Sequence, residues 1–89
     1  MFKELSKGGD NKMCKFDYSK LRGRIIEKFG NQASFARAMG ISEHSISLKL
    51  NGKLPWKQPE IYRAVDVLDL TDYDIPIYFF RVDVQSIEQ

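Results

Sequence analysis

Residues 31–51, NQASFARAMGISEHSISLKLN, decide the fold. Phe35, Ala36 and Met39 fall at i, i+1 and i+4 and share one face of a helix. Ala36 is small where a second helix must cross close by. Gly40 can take a positive φ, which ends the helix and turns the chain. Ile41 then plugs the corner. Ser42 is a good N-cap for a second helix, because its side-chain oxygen accepts a backbone N–H two or three residues on, a contribution of about 1 kcal/mol. Ile46 and Leu50 lie four apart and anchor that helix. Two anchors define one buried stripe, so most of Glu43, His44, Ser45, Ser47, Leu48 and Lys49 must face outward. Asn51-Gly52 closes the helix with the residues best suited to a left-handed end.

A short helix, a tight glycine turn and a second short helix form the layout of a helix-turn-helix, whose second helix is presented to a DNA major groove. A plain helical hairpin in a small core is the alternative. Short polar side chains on the outer face of the second helix and basic flanks favour the DNA reading.

The stretch YSKLRGRIIEKFGNQASFARAMGIS, followed by SISLKLNGK, resembles the Cro/cI-type, or lambda-repressor-like, helix-turn-helix family, and within it small Cro-like regulators of phages and prophages of Gram-positive bacteria. The likeness runs from about Tyr18 to Phe80 and rests on Gln32, Ala36, Gly40, Ile46, Asn51 and Gly52 at set spacings. It implies an all-α, five-helix domain and a transcriptional regulator that binds a double-stranded DNA operator.

Composition is consistent with that class. Eighty-nine residues make one domain, and 43% apolar residues exclude disorder throughout. No apolar run approaches the roughly 20 residues that span a bilayer, and MFKELSKGGDNKMCKF lacks the apolar core of a signal peptide. A single cysteine, Cys14, forms no internal disulfide, which fits a cytoplasmic protein. One Cys and one His leave no plausible structural zinc site, and no metal or cofactor is expected. The net charge of +2 is unevenly spread: residues 1–63 carry 13 Lys/Arg against six Asp/Glu, whereas residues 64–89 carry one against six. A basic face can meet phosphates while the acidic end points away.

Residues 1–16 read as a flexible basic arm, 17–80 as the domain and 81–89 as a C-terminal tail. The first helix runs from Tyr18 or Ser19 to Phe29, with Leu21, Ile25 and Phe29 inward. A loop holds Leu54 and Trp56, either of which can fold back on the core. The next helix begins near Lys57–Pro59 and buries Ile61, Ala64, Val65 and Leu68. Thr71 caps a short fifth helix, and Pro76 limits its length. Ile75, Ile77, Tyr78, Phe79 and Phe80 cap the bundle, with any excess a dimer surface. The alternation Phe80-Arg81-Val82-Asp83-Val84 has strand period, read here as a tail rather than a strand paired with a twin chain.

The resemblance also assigns contacts. Asn31 and Gln32, at the start of the helix before the turn, touch phosphates; a glutamine that only caps its helix is the alternative. Glu43, His44, Ser47 and Leu48 read bases. Glu43 can accept from cytosine N4, His44 can bond guanine or phosphate, and Leu48 can pack on a thymine methyl or be buried beside Ile46 and Leu50. Asn51, Lys53 and Lys49 bind phosphate, with Arg37 and Ser45 as weaker candidates. Lys49 stands where many relatives have an apolar residue, which leaves the helix rotation open by about a third of a turn. Doubling on a palindrome raises affinity, so a homodimer is expected at least on DNA. No phosphate loop, paired carboxylates or nucleophile–base set suggests an enzyme. A protein-binding adaptor or antirepressor built on the same fold is the competing function.

Overall fold

The computed structural model describes residues 16–82, an all-α domain of five α-helices and, among those residues, no strand. They are α1 (Ser19–Phe29), α2 (Gln32–Met39), α3 (Glu43–Leu50), α4 (Gln58–Val67) and α5 (Ile75–Phe79), with one turn of 3-10 helix at Asp72–Asp74 before α5. The expected flexibility of residues 1–15 and the tail beyond Val82 lie outside the described residues.

The helix-turn-helix forms as its residues dictate. Asn31 caps α2, its Oδ1 accepting the Ser34 N–H at 2.8 Å. Gly40 adopts φ +73, and the N–H groups of Gly40 and Ile41 donate to the Arg37 and Ala36 carbonyls, satisfying orphan acceptors at the end of α2. Ser42 caps α3 by accepting the Ser45 N–H at 3.1 Å. At the far end of α3 the left-handed position is Gly52, φ +75, and not Asn51, whose φ is −96.

Helix α2 sits at the centre, packed on α1, α3 and α4, while α5 closes the bundle against α1 and α4. Leu21, Ile25, Phe35, Ala36, Met39, Ile46, Leu50, Ile61, Ala64, Val65, Leu68 and Phe79 make the core. Helix α4 starts at Gln58 with Lys57 as its extended cap residue; Lys57 has no side-chain acceptor, and the Glu60 carboxylate reaches back to its N–H at 2.9 Å. Trp56 folds onto the core, edge-to-face on Phe79 with ring centres 5.2 Å apart, while Leu54 stays exposed.

The C-terminal part differs from expectation in two ways. Thr71 precedes the 3-10 turn, where its N–H donates to the Asp74 carboxylate at 2.9 Å, and α5 itself starts at Ile75. Pro76 therefore lies in the first turn of α5, where its missing N–H costs nothing. Arg81 and Val82 are also paired within the chain: the Asp17 N–H donates to the Arg81 carbonyl at 2.7 Å, and Phe16 bridges Val82 in antiparallel sense. The strand-like alternation after Phe80 finds its first partner in the segment that leads into α1.

Candidate functional site

The outer face of α3 carries the expected base-reading residues in two tiers. Glu43 and His44 are exposed in its first turn, whereas Ser47 and Leu48 are half-buried. Leu48 is neither fully buried beside Ile46 and Leu50 nor fully exposed. Ser45 is half-buried and shares a side-chain hydrogen bond with Ser42 at 3.1 Å. On α2, Asn31 is exposed but commits its Oδ1 to the cap, and half-buried Gln32 makes no side-chain hydrogen bond among the described residues. Asn31 does the capping, and the Gln32 amide takes no part in it. Arg37 is exposed, 3.4 Å from the Ser34 hydroxyl, and Lys53 is exposed just past α3.

Lys49 requires a correction. It is only 5% exposed, and its ammonium turns inward to donate to the Pro55 carbonyl at 3.0 Å and to pair with Glu60 at 2.9 Å. The Trp56 ring lies 5.9 Å from the same nitrogen. Its place between Ile46 and Leu50 on the inner stripe explains this: the four-carbon stem fills core space and the charge needs a buried counterion. Lys49 is therefore a tie between α3, the 53–57 loop and α4, not a phosphate ligand. Burial pushes the Glu60 carboxyl up, but hydrogen bonds from the Lys57 N–H and the Lys49 ammonium, with both lysine charges, outweigh it and hold Glu60 below the usual carboxylate value.

Two residues enter the face that sequence reasoning left out. Arg22 of α1 donates through Nη2 to the Leu50 carbonyl at 2.8 Å and to Asn51 Oδ1 at 2.9 Å. With its oxygen engaged by Arg22, the exposed Asn51 amide keeps both N–H donors to offer. Ile26, 53% exposed, flanks Arg22 and Gln32 in a shallow hollow that Ile25 and Leu50 complete. It sits on the outer side of α1 beside the start of α2, so the inward stripe of α1 gave no reason to single it out.

The resulting surface is mixed. Glu43 is favoured by the positive end of the α3 dipole and partly cancels what that end would offer a phosphate. The inward Lys49 removes another positive charge. Arg22, Arg37 and Lys53 remain exposed cations, and Ile26 and half-buried Leu48 add apolar surface. Such a surface suits a protein partner at least as well as a phosphate backbone. Among the described residues no helix is long and apolar enough to cross a membrane, and no group of three or more His, Cys, Asp or Glu could hold a metal ion.

No curated protein matches the chain. Among solved structures, the chain is similar to the solution structure of the modulator of repression (MOR) of the temperate bacteriophage TP901-1 from Lactococcus lactis, with 58% identity and a TM-score of 0.66. The match covers 73% of this chain and 88% of that one. The family model described as "Protein of unknown function (DUF739)" matches residues 13–82, which takes in every described residue, and the chain belongs to that family.

Proposed function

We propose that this chain is a phage regulatory protein that modulates repression by binding a repressor protein. The observation that carries the proposal is the 58% identity to a phage modulator of repression over 88% of that protein's length. The candidate face supports it: Ile26 and Leu48 offer apolar contact, Glu43 and His44 polar contact, and the inward Lys49 weakens the attraction for phosphate. Binding a partner needs no catalytic group, so the protein acts by occupancy and not as an enzyme.

A Cro-like operator-binding role is the second reading, favoured by one specific observation. Arg22 engages the Asn51 oxygen, which leaves the amide N–H donors as the groups a phosphate oxygen can accept from. Titrating the protein with the purified repressor of a phage that carries it, and separately with that repressor's operator duplex, decides between the two. The proposal expects saturable binding to the repressor that Ile26→Asp abolishes and salt changes little. Binding to the operator alone, with a log–log salt slope of about −0.9 per neutralised phosphate, and none to the repressor, would establish the operator role instead.

A further inference from the structure

A groove opens where the loop after α3 meets the two ends of the folded body. Leu54, Pro55 and Trp56 of that loop face Phe16, Phe79 and Phe80 across a cavity of about 360 Å³. That lies at the lower end of the roughly 300–1,000 Å³ typical of binding pockets. The walls are set from behind. The Pro55 carbonyl accepts from the buried Lys49 ammonium, the Trp56 ring stands edge-on to buried Phe79, and Phe16 backs Phe80 edge-on at 5.7 Å. Even so, Leu54 is 37% exposed and Phe80 49%. Aromatic walls with apolar edges left in solvent suit a bulky apolar side chain arriving on a chain, whose backbone can lie along those edges.

Charge narrows the occupant further. Lys53 is the one charged residue of the described lining; it is exposed and has no ion-pair partner among the described residues. The wall also holds an unmet donor, for the Trp56 indole N–H is buried with no acceptor among those residues. A positive edge with no negative one selects an acidic segment. Lys53 follows directly on the α3 cap, so a partner seated on the α3 face reaches the groove without a break. We propose that the groove receives a bulky apolar side chain from an acidic segment of the repressor, with a carboxylate of that segment on Lys53. This rests on the function proposed above and adds to it a second anchor, away from Ile26.

Calorimetric titration of the full chain with the purified repressor of a phage that carries it tests the groove. Leu54→Asp should weaken binding at least about tenfold, by setting a charge at the apolar edge. Lys53→Glu should weaken it about three- to tenfold, and Lys53→Arg should keep it within about twofold of the parent. Circular dichroism confirms that each variant keeps its fold. In ¹⁵N-labelled protein, the Trp56 indole resonance should shift when unlabelled repressor is added. Parental affinity in Leu54→Asp or in Lys53→Glu, or an indole resonance that stays in place while α3 amides move, overturns the groove and leaves the function standing. A parent chain that does not bind the repressor at all overturns both.

Discussion

Lys49 shows how one residue can read as a ligand in sequence and act as a strut in structure. Its side chain is buried with Glu60, and removing either partner has unequal consequences. Glu60→Gln strands a buried ammonium and should cost about 3 kcal/mol in urea unfolding. Lys49→Met keeps the stem, removes the buried charge and leaves Glu60 to partial solvent, so its cost should stay under about 1 kcal/mol. If both variants lose equally, Glu60 is not the counterion that compensates a buried charge at Lys49. The same carboxylate sets a pH window. Its folded pKa lies below the ordinary 4.5, so its contribution is complete above that value and drains away as pH falls through the folded value. Stability measured from pH 6 downward should therefore fall less steeply, below about pH 4.5, in Glu60→Gln than in the parent. The spacing of Ile46 and Leu50 fixed the inward stripe of α3, yet an amino acid's usual preference for water hid the fact that Lys49 lies on it. Burial of a charge depends on a partner eleven residues away, which no local pattern announces.

At the scale of the element, the turn and its caps were legible because their determinants are local. Asn31, Gly40 and Ser42 each satisfy backbone groups within three to five residues. Ser42→Ala should lower stability by about 1 kcal/mol, and Ser42→Gly by only a few tenths, since glycine tolerates the cap position. Gly40→Ala should cost about 1 kcal/mol through its φ of +73 alone, for an added Cβ would come no nearer than 3.7 Å to its closest neighbour, the Arg63 guanidinium. Thermal melts of the three variants check this order, at roughly 4–8 °C per kcal/mol for a domain of this size. Arg22 and Ile26 were not legible in the same way. Both sit on the polar-looking side of α1, and their importance comes from where α2 and α3 cross it, a property of tertiary packing. Helix α5 was half legible: its apolar excess was plain, but only the burial of Phe79 beside exposed Ile77 and Phe80 shows which side faces out.

For the whole molecule, the two ends of the described chain matter as much as the motif. Phe16 joins the aromatic group of Tyr18 and Phe80 and bridges Val82. Phe16→Ser should therefore destabilise the entire domain, by about 1–3 kcal/mol, with one cooperative transition. A separate early transition would mean that the bridge is an ornament. The core residues were predictable from helical periodicity, whereas this closure joins residues 66 positions apart and left no mark in the pattern around Phe16.

That closure brings the entry and exit of the folded body to the same pole, next to the Phe80 ring. The two crossings of that pole lie close enough for the Asp17 N–H to reach the Arg81 carbonyl. A circularly permuted chain, spliced from Val82 to Phe16 and opened in an exposed loop, should therefore keep the same fold.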